Sequence, residues 1–263
     1  MTLLNFSFSA RQFASLSEAE RLFFVRLANA ANDLRYVRLL TVTAAAATKR
    51  YAGAEQEVVL HQMIFGLRQW YAILDAGWEV VRSDWNGAQL GKKFYPLLSK
   101  GRTAYDELKR YFSGSNLVAN VRDHFASHYE VGFLPRILRE LPDADVFHFV
   151  SSTSAVNTFY SFAENVRNVA LIATSDDGAK NERLSWEEAR ARRAVQTLYA
   201  EAGKVSEKFE AFLDDLLSIV LRPCSLERCA FISTAVGDPA KWEPLIFVDE
   251  EAIVRRAEAK AEK

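Results

Sequence analysis

Cysteine, glycine and proline are all scarce in this chain, and each shortage excludes a class of protein. The 263 residues include only two cysteines, Cys224 and Cys229. Two cysteines form neither a disulfide framework nor a four-cysteine zinc site, and we expect both to be reduced, buried thiols. The 11 glycines and 6 prolines are few for this length. So few breakers favour long helices over many short strands joined by tight turns.

The sequence also lacks long hydrophobic runs. No stretch reaches the roughly 18 apolar residues that a membrane span requires. The N-terminal segment "MTLLNFSFSARQF" has no cationic region followed by an apolar core, so it does not resemble a secretory signal. We therefore expect a cytoplasmic protein with no membrane partner. Its 49% hydrophobic and 25% charged residues are typical of an ordinary globular chain.

Several catalytic and nucleotide-binding motifs are missing as well. The chain contains no G-x-x-x-x-G-K-[ST] loop, no G-x-G-x-x-G, no G-x-S-x-G and no H-E-x-x-H. Functions that depend on those motifs therefore have no support in the sequence. No cofactor and no bound metal are predicted.

Helical periodicity dominates the first half of the chain. Ser17 and Glu20 form a capping box that opens a predicted helix running to about Lys49. A second helix is predicted from about Ala54 to Trp85, followed by shorter helices at about 87–99 and 103–112. Antiparallel helices with short connections predict a helical bundle over residues 1–140.

Aromatic residues are placed with helical spacing in the second of these helices. The stripe of large apolar residues on it comprises Trp70, Leu74, Trp78, Val81 and Trp85. Three tryptophans on one face could form a platform on which nucleic-acid bases stack. Their spacing along a long apolar seam favours core packing instead.

The second half of the chain, residues 141–263, is less regular. "DVFHFVSS" and "RCAFISTAV" alternate like short strands, as does "PLIFVDE", whereas "VNTFYSFAENVRNVALIA" reads as a helix. A long helix is predicted from a second capping box, formed by Ser185 and Glu188, to Leu221, with a break at Gly203. Its predicted apolar seam comprises Val195, Leu198, Ala202, Val205, Phe209, Phe212, Leu216 and Val220. The predicted fold class is mainly all-α, a helical bundle with long antiparallel helices and a few short strands in the C-terminal half. Residues 141–263 would be a helical extension with a charged tail, packed on the 1–140 bundle or continuous with it.

The two halves differ in charge. Residues 1–140 carry 18 Lys and Arg against 13 Asp and Glu, a net charge of +5, whereas residues 141–263 carry 15 against 21, a net charge of −6. A phosphate-bearing partner such as RNA would therefore prefer the first half, although an ordinary solvated surface explains the same bias.

The stretch "VRDHFASHYE", beginning at Val121, concentrates polar groups on a predicted helix from about Asn116 to Tyr129. On a helical wheel, His128 falls inside the apolar arc centred on Val121 and Phe125. Arg122 and His124 lie on opposite shoulders of that arc, and Asp123 faces away.

This arrangement allows three interpretations. His128 is a neutral core histidine, hydrogen-bonded to a neighbouring helix. His124 and His128, four residues apart, hold a metal with His61 or His148 as a third ligand, although no carboxylate stands at motif spacing. In the third interpretation, Arg122 and His128 form a catalytic pair.

The third interpretation rests on a resemblance. "RDHFASH" fits the R-x4-6-H pattern of HEPN-type proteins, and "VRDHFASHY" resembles the "IRNxFAxHY" string of bacterial helical proteins of that type. The resemblance implies a helical bundle that cleaves RNA without metal, at a composite site formed by two protomers. It also implies that Arg122 holds the scissile phosphate and that His128 is the general acid or base, with Asp123, His124 and Tyr129 in support.

Two hypotheses of function follow. The first is a HEPN-like, metal-independent endoribonuclease that acts as a homodimer, with a role as a toxin or defence effector and an antitoxin partner. The second is a non-catalytic helical protein that binds other proteins or nucleic acid, in which Arg122 and His128 are structural.

Overall fold

Long α-helices make up most of the described chain. This computed structural model describes residues 3–87, 89–126, 135, 138–139, 149–150, 159–175, 188–224 and 227–232. The helices are α1 (Ala10–Phe13), α2 (Glu18–Ala47), α3 (Gly53–Gly87), α4 (Leu90–Phe94), α5 (Lys100–Phe112), α6 (Leu117–Val121), α7 (Ser161–Ser175) and α8 (Glu188–Val220). Short 3-10 helices cover Tyr95–Leu97 and Arg222–Cys224, and a π-helix covers Arg122–Ala126. The prediction of a mainly α-helical bundle is confirmed.

Helices α2 and α3 form an antiparallel pair joined by a short turn. Arg26 near the start of α2 is 2.7 Å from Asp84 near the end of α3, whereas Thr41 late in α2 meets Gly66 in the first half of α3. A Cβ atom at position 66 would lie 2.5 Å from Thr41 Oγ1. The two helices can approach this closely because glycine occupies that position.

The predicted start of α2 is confirmed in detail. The Ser17 hydroxyl accepts from the Glu20 backbone N–H at 3.4 Å, and the Glu20 carboxylate accepts from the Ser17 N–H at 2.9 Å. These two bonds satisfy backbone donors that the first helical turn leaves unpaired. Helix α2 therefore begins where the sequence predicts.

The tryptophan stripe of α3 lies in the core. Every member of the stripe (Trp70, Leu74, Trp78, Val81 and Trp85) is buried. Trp78 stacks on Phe112 with ring centroids 5.0 Å apart, and the Trp70 indole N–H donates to Ser206 at 2.7 Å. The core interpretation is confirmed, and a base-stacking platform on this stripe is excluded.

Helix α8 packs its predicted seam against α3 and α5. The seam residues Leu198, Ala202, Val205, Phe209, Phe212, Leu216 and Val220 are all buried, and Val195 is partly buried. The predicted break at Gly203 is wrong, because α8 runs without interruption from Glu188 to Val220. Packing of the seam on both sides of this position outweighs the low helix propensity of one glycine, about 1 kcal/mol. Ser185, the predicted cap, lies outside the described residues.

Short strands accompany the helices. Strand β1 (Leu3–Ser7) pairs antiparallel with β4 (Glu227–Ile232), with Asn5 opposite Cys229. Strand β2 (Phe149–Val150) pairs antiparallel with β3 (Phe159–Tyr160). Strands within "DVFHFVSS" and "RCAFISTAV" are therefore confirmed, whereas β1 and its long-range pairing were not predicted. The segment "PLIFVDE" and the charged tail lie outside the described residues.

One core contains residues from both halves of the chain. Phe209 and Phe212 of α8 belong to the same buried cluster as Phe23 of α2 and Leu108 of α5. The division at residue 140 nevertheless stays a prediction. Cys224 is a buried free thiol, and burial raises its pKa. None of the described helices is both long and apolar enough to cross a membrane.

Candidate functional site around Arg122

The helix that carries the candidate motif changes its geometry at Arg122. Asn116 caps α6 by accepting from the Ala119 N–H at 2.8 Å, and α6 ends at Val121. Residues Arg122–Ala126 then form a π-helix, so the prediction of one regular α-helix through this segment is wrong. A π-helix bonds each carbonyl to the fifth residue onward, which widens the turn and rotates the side chains that follow.

The apolar side of this segment packs on α3. Val118, Val121 and Phe125 are all buried in the main core. The predicted apolar arc is therefore present at these positions. The position predicted for His128 lies outside the described residues and stays a prediction.

The Arg122 side chain is held by carboxylates on two elements. Its Nη1 atom is 2.7 Å from Oδ2 of Asp75 in α3, and its Nε atom is 2.7 Å from Oδ1 of Asp123. The Nε contact is an ion pair without hydrogen-bond alignment. The side chain remains 41% exposed, and no described residue engages Nη2. A guanidinium fixed on one side and open on the other can offer donors to an anion.

Asp75 is the less accessible member of this ion pair. Its side chain is only 13% exposed. Burial raises the pKa of the Asp75 carboxyl, and the positive charge of Arg122 acts in the opposite direction. In this pair the Asp75 carboxylate is mostly buried and the Arg122 guanidinium is partly exposed. The Arg122 side chain therefore extends from the core toward the surface.

Helix α7 also contacts the π-helix. The guanidinium of Arg167 donates to the Phe125 carbonyl oxygen. A side chain that donates a hydrogen bond to a backbone carbonyl within a helix is one of the known reasons for a local departure from α geometry. Two distant parts of the chain, Asp75 and Arg167, therefore meet the motif segment.

The predicted site residues are only partly described. Arg122 and Asp123 are brought together, with Asp123 exposed as expected. The backbone of His124 belongs to the π-helix, but its side chain lies outside what is described. His128 and Tyr129, like the alternative metal ligand His148, lie outside the described residues. The pairing of Arg122 with His128 therefore stays a prediction.

A second polar cluster lies between α3 and α7, with a buried centre of His61, Arg68 and Asn168 and partly exposed carboxylates beside it. The Asn168 side-chain amide is 2.9 Å from Nδ1 of His61, and Glu57 lies 3.9 Å from Nε2 of the same ring. Asn165 donates to Glu57 at 3.3 Å. His61 is 3% exposed. Burial lowers the pKa of His61, against the opposing effects of Glu164 and Glu57.

Arg68 belongs to the same interface. Its side chain is only 1% exposed, and its Nη2 donates to Glu164 at 2.9 Å. A buried guanidinium is tolerated when a carboxylate balances its charge. We call Glu57, His61, Arg68, Glu164, Asn165 and Asn168 the buried cluster. His61 was considered only as a metal ligand, yet no three metal-ligating side chains converge in the part of the chain that is described.

Sequence reasoning missed Asp75, Arg68 and Arg167. Asp75 interrupts the apolar run "YAILDAGW". A carboxylate in an apolar run indicates that a cationic or hydrogen-bonding side chain pairs with it in the fold. Glu57, His61 and Arg68 recur at four and seven residues on one side of α3, which is a similar signal. Their partners are far away in the sequence, so no local pattern identifies them.

No similarity to a known protein assigns a role to the residues of this site. No protein family, curated protein or solved structure was found to match this chain.

Proposed function

We propose that the protein is a HEPN-like, metal-independent endoribonuclease in which Arg122 binds the scissile phosphate. The observation that carries the proposal is the presentation of Arg122. A partly exposed guanidinium begins a π-helix, and a mostly buried carboxylate fixes it from behind. Short π-helical segments occur frequently at functional sites. The string "RDHFASH", with its resemblance to the R-x4-6-H pattern, supplies the class of reaction.

The proposed chemistry assigns a separate task to each residue. Arg122 would stabilise the negative charge that develops on the phosphate, for which a permanently charged, forked donor is well suited. His128 would exchange a proton with the ribose 2′-hydroxyl or the leaving group, because imidazole titrates near neutral pH. Asp123, His124 and Tyr129 are proposed as supporting residues. A homodimer would bring two such motifs together, and an antitoxin or other partner chain would fit a toxin or defence role.

The second candidate is a non-catalytic interaction protein. One observation favours it: Asp75 and Asp123 both lie 2.7 Å from the Arg122 guanidinium. Two carboxylates already balance its positive charge, and such a bridge between α3 and the π-helix also serves a purely structural purpose. An incoming phosphate would have to displace Asp123, the exposed partner, or share the Arg122 guanidinium with it.

The test compares purified wild type with Arg122→Ala and His128→Ala in buffer containing EDTA. If Arg122 binds the phosphate and His128 transfers the proton, each substitution should lower the rate of RNA cleavage by at least about 100-fold. Arg82→Ala is the matched control, because Arg82 is an exposed arginine that is also paired with a carboxylate, that of Glu79 at 2.7 Å. It should cleave like wild type.

Two further readouts separate the candidates. Cleavage by wild type that is absent in EDTA, or cleavage that survives Arg122→Ala in the folded protein, would contradict the nuclease. The oligomeric state, measured by light scattering, should be a dimer. A monomer that still cleaves RNA would remove the composite site but leave the assignment of Arg122 intact.

A further inference from the structure

The outer side of α2 exposes a stripe of large apolar side chains. Four of the eight large hydrophobic residues that are exposed in the described chain lie on this helix, namely Leu22, Val25, Tyr36 and Leu40, which are 46–68% exposed. At 100° per residue these positions fall within about 60° of arc, and they span about 27 Å along the helix axis. A contiguous exposed apolar surface of this kind marks an interaction site. We propose that the stripe binds the same stripe of a second copy of this chain, in antiparallel orientation.

The helices that pack on α2 leave this stripe uncovered. Thr41 faces Gly66 of α3, and Leu40 points about 100° to one side of that contact. Arg38 lies on the other flank, where its guanidinium is 2.9 Å from Glu210 of α8. Helix α8 therefore packs on one side of the α2–α3 pair, and the stripe occupies the opposite side.

Helix α3 adds one more exposed ring to this side. Phe65 is 53% exposed and precedes Gly66 by one residue, as Leu40 precedes Thr41. Because α2 and α3 are antiparallel, one step back from each side of their contact points to the same side of the pair. Phe65 therefore extends the exposed apolar surface beside Leu40.

The residues of the stripe occur in an order that reads alike from both ends. Leu22 and Leu40 are equally far from position 31, each with a second apolar residue inside it, and so are the exposed Asn29 and Asp33. A two-fold axis at position 31 would lay each apolar end on the opposite end of the partner helix. Such an isologous contact requires a surface that is complementary to itself, whereas a partner of unrelated sequence does not. The symmetry of the stripe therefore indicates a second copy.

Asp33 supplies the charge that fixes the register. It is exposed in the middle of the stripe, and no described residue forms an ion pair with it. In the antiparallel dimer its carboxylate accepts a hydrogen bond from the side-chain amide of Asn29 of the partner subunit, and the two-fold axis repeats this bond. A shift by one helical turn would place the two Asp33 carboxylates against each other, and like charges repel. A shift in the other direction would place each carboxylate on Val25 of the partner subunit, an apolar neighbour.

Cysteine cross-linking tests both the partner and its orientation. In Leu22→Cys/Leu40→Cys, position 22 of one copy lies against position 40 of the other, so a short bismaleimide should join two full-length chains. Each single variant should stay largely uncross-linked, because like positions of two antiparallel copies are about 27 Å apart. The same distance prevents a cross-link within one chain. Wild type is the control for Cys224 and Cys229.

Charged substitutions measure the strength of the contact. Leu40→Glu should raise the Kd of self-association, measured by sedimentation equilibrium, at least about tenfold, because the two-fold axis places the change in the interface twice. Leu22→Glu should have the same effect, since positions 22 and 40 share one contact. Leu97→Glu is the matched control, as Leu97 is 51% exposed outside α2, and it should leave the Kd unchanged. All three positions are exposed, so the melting temperatures should stay near that of wild type.

Three results would overturn the proposal. The first is wild type that stays monomeric at about 100 μM, as it would if the stripe bound a different protein. The second is a single cysteine variant that cross-links as well as the double variant, which would indicate a parallel or non-specific contact. The third is self-association that neither Leu40→Glu nor Leu22→Glu weakens, as for a dimer built only on the Arg122 motif.

The α2 contact does not depend on the proposed nuclease. Asp75, which holds Arg122, follows Gly66 by nine residues and therefore lies half a turn around α3 from α2. The Arg122 site is thus on the far side of α3 from the stripe. RNA cleavage is not a readout of the cross-linking or sedimentation experiments, so their failure and that of the Arg122 assignment are distinguishable.

Discussion

The Arg122 pair and the buried cluster both depend on α3, yet they differ in their access to solvent. Arg122 is 41% exposed and is held by Asp75, whereas Arg68 is 1% exposed and is held by Glu164. The same chemical pair, an arginine and a carboxylate, is therefore partly exposed in the first region, whereas its arginine is enclosed in the second. An arginine that a substrate can reach is a candidate for chemistry, and one that is enclosed by its own chain stabilises the fold. The comparison separates the two roles by exposure rather than by residue type.

The largest effect on stability is expected in the buried cluster. Glu164→Gln would remove the negative charge that lies 2.9 Å from the enclosed guanidinium of Arg68. Breaking a buried ion pair in this way costs about 3 kcal/mol in the free energy of unfolding. Urea denaturation followed by circular dichroism measures it. A loss below about 1 kcal/mol would indicate that Arg68 is better solvated than its burial suggests.

The matching substitution at the surface pair should affect activity more than stability. Asp75→Asn leaves Arg122 with Asp123 and solvent, so we expect the free energy of unfolding to change by less than about 1 kcal/mol. RNA cleavage should fall about tenfold, because the guanidinium loses the partner that positions it. Asp75 is thus a positioning residue.

A conservative variant distinguishes positioning from folding. Asp75→Glu keeps the carboxylate and should recover part of the lost kcat, with KM little changed. If Asp75→Asn and Asp75→Glu lose stability together and keep full activity, Asp75 has only a structural role.

The pH dependence of stability should also differ between the two regions. Burial lowers the pKa of His61 in the folded state from its usual value of 6.5, so below that pH the unfolded chain takes up the proton first. The contribution of His61 is complete above about pH 6.5 and is lost as the pH falls toward the lowered value. Glu57, Glu164 and Arg68 are the charged groups that face the ring.

Urea unfolding between pH 7.5 and 5 tests this sign. The free energy of unfolding of wild type should fall more steeply with acid than that of His61→Gln, which has no imidazole to protonate. Parallel curves for the two proteins would show that His61 titrates alike in the folded and unfolded states.

The smallest effect is expected at an exposed pair that lies one and two helical turns beyond Asp75 on α3. Arg82→Ala removes a contact of 2.7 Å to Glu79, with both side chains more than half exposed. The free energy of unfolding should change by less than about 0.5 kcal/mol, and RNA cleavage should not change. A large change in stability or in RNA cleavage would show that residues of α3 beyond Asp75 belong to the Arg122 site.

The sequence predicts the long helices well because their signals are local. Apolar residues three and four apart and the capping box at Ser17 locate α2 and α3 to within a few residues, and the α8 seam is predicted equally well. Burial of the α3 tryptophans follows from the same spacing. Local patterns also mislead, as at Gly203, where packing on both sides keeps α8 continuous.

The details that set the candidate site depend on distant contacts. The π-helix at Arg122 meets Asp75 from one side and Arg167 from another, and neither lies near it in the sequence. Strand β1 likewise pairs with β4 more than 200 residues away. A helical wheel assumes a constant angle per residue, so it could not predict the turn at Arg122. The composite site with His128 remains a prediction.

The most direct test of this contrast is the rate of RNA cleavage per folded molecule, measured for Arg122→Ala and Glu164→Gln in the same assay. Both rates are taken in EDTA at a temperature where circular dichroism shows each variant to be folded. We predict that Glu164→Gln, although less stable, cleaves at nearly the wild-type rate, whereas Arg122→Ala loses at least about 100-fold. If Arg122→Ala cleaves like wild type, or Glu164→Gln loses as much activity as Arg122→Ala while folded, exposure does not separate the two roles and the account is wrong.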